Sequence, residues 1–369
     1  MKIKGLLLAG AALSTFSALA TTYPLQITDL DNQSITLQHE PQHVILQDGR
    51  DIFALALLDR ENPFRRVVAW NNLPKKQDVQ SWQMLNKAWP QAADILDMGF
   101  NDHGEVNLES VIAKKPDLMI AQLRAKAALK ETGVIASLNR LGIPVVFVDY
   151  ELDPAKNTAP SVALLGRILN QEQRAQQYTD FWHQRAEMIT QRVSKQPTKA
   201  RVFIEPIAGN TENCCFTHGH NGWGKLVEAA GGENIGSSLL PGGSGFVSLE
   251  KIIAMKPDVY IMSGSKRPNP AVLPFGYGVT PAEVKPAFDK LIARNGLQQI
   301  APVKAGRVYG VYHHFYNHPY NIIGMEILAK DIYPAAFSDI DPTADYHTII
   351  KDFTQLPDQP ITLSYSLSK

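Results

Sequence analysis

The sequence predicts an α/β protein of two similar lobes with parallel sheets, joined by one long helix. Three observations carry that prediction. VNLESVIAKKPDLMI begins at Val106 and VSLEKIIAMKPDVYI at Val247, and nine of their fifteen aligned positions are identical. Between the copies, from Ser161 to Val193, apolar residues recur at helical spacing. The chain has 369 residues, 44% of them hydrophobic, which is enough for two cores rather than one.

The first residues, MKIKGLLLAGAALSTFSALATTYP, read as a secretory leader over residues 1–20. Lys2 and Lys4 precede an apolar run, and Ala18-Leu19-Ala20 supplies a small-residue cleavage site. A membrane anchor fits poorly, because Ser14, Thr15 and Ser17 interrupt the apolar run. No Cys follows the cleavage site, so no lipid anchor is expected, and the destination is a periplasm. The first lobe is expected over 22–155. In its repeat copy Asn107 is the helix N-cap, Leu108, Val111 and Ile112 share a face, and Pro116 ends the helix. Leu118 to Ala121 then read as a buried parallel strand. Val145 to Val148 form another, after a helix closed by Gly142.

The connecting segment, 156–194, has no Pro and no Gly after Gly166 between Ser161 and Val193. About 33 helical residues would reach about 50 Å, enough to run from lobe to lobe. A two-helix hairpin is the alternative. The second lobe, 199–335, repeats the pattern with Ser248 as cap, Leu249, Ile252 and Ile253 on the face, Pro257 as stop and Val259 to Met262 as strand. A tail, 336–369, carries one more helical stretch near Ala344 to Leu356. A cleft between such lobes is a favoured place for a small ligand.

Composition excludes some functions. The 36 basic and 36 acidic residues cancel, so no global field favours nucleic acid or an anionic membrane. The only cysteines, Cys214 and Cys215, are adjacent. Neighbouring Cα atoms sit about 3.8 Å apart, short of the roughly 4.4–6.8 Å of an ordinary disulfide. An unpaired or strained pair in a loop, or a pair touching ligand, are the readings. His39-Glu40-Pro41-Gln42-His43 matches the H-E-x-x-H zinc pattern, but Pro41 breaks the helix that site needs. Ser248 to Lys251 fits S-x-x-K without its companion motifs.

Together, ITDLDNQSITLQHEPQHVI, the two E-x-x-x-x-x-K-P-D segments, GIPVVFVD, LLGRILNQEQRAQQYTDFW and APVKAGRVYGVYHHFYNHPYNIIGMEILAKDIYP carry a resemblance. The chain resembles the periplasmic substrate-binding proteins of ABC importers for iron–siderophore complexes and cobalamin, the long-backbone-helix class (class III), across nearly the whole mature chain. The resemblance implies no enzymatic activity and no cofactor. It implies an Fe(III) chelate as cargo, with cobalamin, haem or a molybdate-like oxyanion as alternatives. It also implies a monomer that docks on an inner-membrane permease and depends indirectly on an outer-membrane receptor. Glu109 and Glu250, heading the repeated helices, match the carboxylates that dock on permease arginines; they also suit plain first-turn capping.

Candidate ligand contacts follow from strand–helix junctions. Arg50 sits in an Asp48-Gly49-Arg50 junction suited to an anion, or forms a surface ion pair. Trp70 and Tyr150 end strands and Arg124 follows one; the aromatics suit a core equally well. In the second lobe His218, His220 and Trp223 gather before a helix, and His313, His314, Tyr316 and His318 cluster. Either group lines a cleft or caps loops. His314 and Tyr316 are the candidate iron ligands, although a complete siderophore leaves iron no site for protein. The Gly-rich turn Leu240 to Phe246 and Lys266-Arg267 are further candidates for an anionic cargo. The rival enzyme is a bilobal metal chelatase, which the leader and the paired Glu motifs disfavour.

Overall fold

The computed structural model describes residues 21–99, 106–211 and 215–367. The leader and Cys214 lie outside them.

The first lobe is built on five parallel strands in the order Leu96–Asp97, Val67–Trp70, Val44–Leu46, Leu118–Gln122, Val145–Val148. The two-residue period of a strand divides its side chains between two cores. Val44, Leu46, Leu118 and Ile120 join the large cluster that continues through the linker into the second lobe. Ile45, Met119 and Ala121 join a separate cluster with Leu129, Leu138 and Phe147 on the opposite face. Burial on both faces explains why these strands read as unbroken apolar runs.

The second lobe follows the same plan, ordered Glu233–Asn234, Arg201–Glu205, Val259–Gly264, Val308–Tyr312, Ser364–Ser366. The first four strands are parallel, and Ser364–Ser366 adds an antiparallel edge. The 336–369 segment therefore completes this lobe's sheet. Within it lie a helix, Pro342–Thr348, and a π-helical turn, Ile349–Phe353. Both repeated helices are capped as their sequences imply: Asn107 accepts from the Ser110 N–H and Ser248 from the Lys251 N–H.

The single long connecting helix is corrected. The segment forms two helices, Pro154–Ile168 and Glu172–Val193. Asn170 turns the chain in the left-handed region at φ +55°. Gly166 lets the helices touch, since a Cβ there would come within 2.3 Å of the Ala175 Cβ. The pair runs antiparallel. Asn321 donates to Pro154 O (3.3 Å) and Thr158 Oγ1 (2.5 Å) near the start of the first helix and accepts from Trp182 Nε1 (3.0 Å) midway along the second. The second helix runs from the first lobe to the second. At its beginning Leu169 O accepts from Arg66 of the first lobe; at its end Arg192 pairs with Asp339 of the second. Its 22 residues span about 33 Å.

One buried carboxyl sits against this strut. Glu326 is fully buried, and the Nε of Arg185 stands 3.6 Å away. Burial first, then the neighbouring Asp345, pushes it up to about 8. An acid raised in the folded state stabilises most below its unfolded value, and that contribution is lost as pH rises toward 8. Glu326→Gln is therefore expected to match the wild-type Tm at pH 5 and exceed it at pH 8. Parallel Tm-against-pH curves for the two proteins would refute this.

Candidate functional site

Open α/β sheets bind ligands outside the carboxyl ends of strands, where the strand order reverses. In the first lobe the reversal falls between Val44–Leu46 and Leu118–Gln122, and in the second between Arg201–Glu205 and Val259–Gly264. Arg50, Arg124, Ile207 and Arg267 follow these four strands, and all four line one inter-lobe cavity of about 380 Å³. Asn71, Leu73, Lys76, Gln77, Glu151, His313 and Tyr316 complete its wall.

The first-lobe side is organised by Asp48, which is 2% exposed. Its Oδ1 accepts from Arg50 N (3.0 Å) and Arg50 Nε (2.8 Å), and its Oδ2 from Arg50 Nη2 and Arg124 Nη2 (2.8 Å for the latter). Arg124 Nε also pairs with Glu151 Oε2 at 2.9 Å. Burial alone would raise the Asp48 carboxyl, but Arg50 and then Arg124 hold it far below the usual range. Asp51, one turn on, is pushed the other way by burial and by the Asp48 charge. Gly49 makes the turn feasible: its N–H donates to Asn71 O at 2.9 Å, and a Cβ there would come within 2.2 Å of that oxygen.

The second-lobe side presents neutral polar groups, His313 and Tyr316, and one cation, Arg267. His313 Nδ1 lies 2.8 Å from Ser263 Oγ, which accepts from Ile207 N–H at 3.3 Å. Ser263 Oγ thus anchors both the His313 ring and the Ile207 backbone. Burial, then His314, holds the imidazole neutral. Ile207 adopts φ +52°, a left-handed backbone that a β-branched residue rarely takes and that costs roughly 1–3 kcal/mol. With the Asn317 amide oxygen turned toward the first lobe, it accepts from Arg50 and from Tyr316 Oη (3.0 Å), tying the lobes across the cavity floor.

Of the residues singled out from sequence, Arg50, Arg124, His313 and Tyr316 meet in the cavity wall. Arg267, singled out with Lys266, lines the same cavity; Trp70, Tyr150, Trp223, His218 and His314 lie outside its wall. Trp70 is fully buried against Phe64 and Trp82. Tyr150 is fully buried beneath the cleft floor. Trp223 lies buried behind Tyr316, their rings stacked at 6.4 Å. His218 accepts the Trp223 N–H through Nδ1 (3.2 Å), and burial holds it down to about 4. His314 occupies the layer below, its Nε2 3.9 Å from Asp78 and its pKa lowered by burial to about 4. Among the described residues no three His, Cys, Asp or Glu side chains are placed to hold a metal, and His314 lies outside the cavity wall that Tyr316 lines. Cys215 is buried and disulfide-bonded, with Val247 as its backbone partner. Glu40 of the H-E-x-x-H segment pairs instead with Arg66.

Lys76, Asn71 and Ile207 were missed. Lys76 and Asn71 follow the Val67–Trp70 strand, so the junction rule that found Arg50 would have found them. Nothing in the sequence marks Ile207. Glu109 and Glu250 are both exposed in the first turns of their helices. Those helices start on the carboxyl side of their sheets: Asn107 N–H donates to Met98 O, and Met98 N–H to Trp70 O at a strand end. The backbone N–H of Glu250 and then the Ser248 hydroxyl hold the Glu250 carboxylate below its ordinary range.

Residues 66–312 match the family model described as periplasmic binding protein. The chain belongs to that family. It is 24% identical over 328 residues to an uncharacterised ABC transporter substrate-binding lipoprotein of Bacillus subtilis, covering 86% of this chain and 88% of the relative. It is 26% identical over 180 residues to a vitamin B12-binding protein of Yersinia pseudotuberculosis, covering 48% of this chain and 59% of that protein. Its fold superposes on the TroA-like periplasmic binding protein FepB of Veillonella parvula with TM-score 0.84 at 22% identity, over 94% of this chain and all of the other. This is the class III fold. The chain is an extracytoplasmic binding protein of the kind that works with an ABC permease, and it is not an enzyme. No described helix is long and apolar enough to cross a membrane.

The buried Asp48 carboxylate is the acceptor on which both first-lobe arginines rest. Removing one partner of a buried ion pair costs about 3–5 kcal/mol. Asp48→Asn is expected to lose an amount of that order in urea-induced unfolding. A loss under about 1 kcal/mol, the worth of an ordinary hydrogen bond, would refute the assignment.

Proposed function

We propose that this binding protein captures an anionic metal chelate, a ferric siderophore or a complex of similar chemistry, between its lobes and delivers it to an inner-membrane permease. One observation carries the reading: the guanidiniums of Arg50 and Arg124 from the first lobe and of Arg267 from the second converge on a single cavity. Such a wall presents hydrogen to the outer oxygens of a chelate and leaves the metal to the chelator. The vitamin B12-binding relative keeps cobalamin as an alternative, and a tetrapyrrole another. Size favours a different second reading. About 380 Å³ is the liquid volume of about a dozen waters, which suits a citrate-sized complex or an oxyanion better than a macrocycle.

In this reading the leader exports the chain to the periplasm, where it works unanchored and as a monomer, downstream of an outer-membrane receptor. Glu109 and Glu250 dock on permease arginines; their exposure and their placement on equivalent helices of the two lobes support it. The lobes move little on loading, because they are already stitched together beside the cavity.

Calorimetric titration with ferric catecholate, ferric citrate, ferric hydroxamate, cobalamin, haem and molybdate tests the cargo. Submicromolar affinity for a ferric complex is expected, and binding of none of the ferric complexes would end the chelate reading. The Glu109→Ala, Glu250→Ala double variant is expected to abolish uptake in cells while leaving cargo affinity within twofold. A collapse of affinity would remove the docking role.

A further inference from the structure

Four cationic side chains line the cavity, and three are already answered. Arg50 is held by Asp48, Arg124 by Asp48 and Glu151, and Lys76 by Asp97 at 3.0 Å. Arg50 and Arg124 against Asp48 and Glu151 form a neutral unit. It supplies rigid donor geometry and no net charge.

Arg267 differs. Its Nε donates to Ser265 Oγ at 3.1 Å, and among the described residues it has no ion pair. It is half-buried, and burial, with Arg50 across the cleft, disfavours its charged form. The nearest further carboxylate, Asp78, is committed elsewhere. It caps helix Val79–Ala88 through Ser81 and accepts the Tyr312 hydroxyl at 2.6 Å. The neighbours of Arg267 in the wall, His313 and Tyr316, are neutral.

We infer that Arg267 is the specificity-determining charge of the cleft: it selects a cargo that turns an uncompensated anionic group toward the second lobe, and it discriminates against neutral chelates of similar size. The inference rests on the cleft being the cargo site and adds which group sets the charge preference and the orientation of the cargo. A half-desolvated guanidinium without a counter-ion is stabilised more by a bound anion than by the uncharged acceptors of a neutral ligand.

The test compares the wild type with Arg267→Gln and Arg267→Lys. Affinities are measured for ferric citrate and a ferric tris-catecholate (anionic), a ferric tris-hydroxamate and cyanocobalamin (neutral), and molybdate. The wild type is expected to prefer an anionic probe over neutral ones by at least about tenfold, the effect of one charge-assisted hydrogen bond. Arg267→Gln is expected to lose that preference, with anionic affinities falling further than neutral ones and Tm unchanged, and Arg267→Lys to recover part of it. A neutral chelate bound as tightly as the anionic ones, an Arg267→Gln affinity within twofold of wild type, or no binding of any anionic probe would overturn the inference. The two readings separate cleanly. Molybdate binding that depends on Arg267, without chelate binding, keeps the inference and removes the chelate reading; chelate binding blind to charge does the reverse.

Discussion

The carboxylate of Asp48 is the point on which the rest of the cleft depends. Two guanidiniums repel each other, yet Arg50 and Arg124 converge on one side chain from two different strands. They can do so because Asp48 is buried, ionised and saturated, accepting four hydrogen bonds. Burial first, and then the Asp48 charge, push the neighbouring Asp51 carboxyl well above its ordinary range. From Arg50 the network continues into the other lobe through Asn317 and Tyr316. A single acid thus sets the positions of the first-lobe donors and couples them to the second lobe.

Much of the fold was legible because its signals are local. The repeated caps, the Pro stops and the apolar strand runs each need only a few neighbouring residues, and Asn107, Ser248 and Val145–Val148 fell where the pattern put them. The connecting helix failed for a physical reason. Antiparallel helices separated by Leu169, Asn170 and Gln171 keep nearly the periodicity of one helix, and the break rests on the left-handed Asn170. Asn is an accepted helix terminator, so the signal was present but weak. For the site, charged residues at strand–helix junctions were readable and aromatics were not. Trp70, Tyr150 and Trp223 stand at or near strand ends, but burying a large ring stabilises a core as readily as a binding wall. Sequence spacing cannot decide which way such a ring points.

The lobes are joined by more than the crossing helix. Tyr312 donates to Asp78 and Tyr320 to Phe53 O, both buried and both between lobes. Arg60 of the first lobe donates to the carbonyls of Lys351, Asp352 and Thr354 at the end of the π-helical turn. Phe53 packs against His318 and Tyr320 at the same boundary. Wide opening would expose these polar groups and rings together, which favours small displacements over a swinging hinge. The class III fold is thereby given a rest position in which the donors of the two lobes already face each other.

The edge strand Ser364–Ser366 carries a consequence for how the chain matures. All five strands of the first sheet are drawn from residues 44–148, so that half can finish its hydrogen-bond ladder while the remainder is still being made. The second sheet waits: its outermost member follows Val308–Tyr312 by about fifty residues. Until that strand is in place, the border at Val308–Tyr312 is an open sheet edge that seeks a partner. During that interval the risk of wrong pairing, and the need for a chaperone, fall on the trailing half alone.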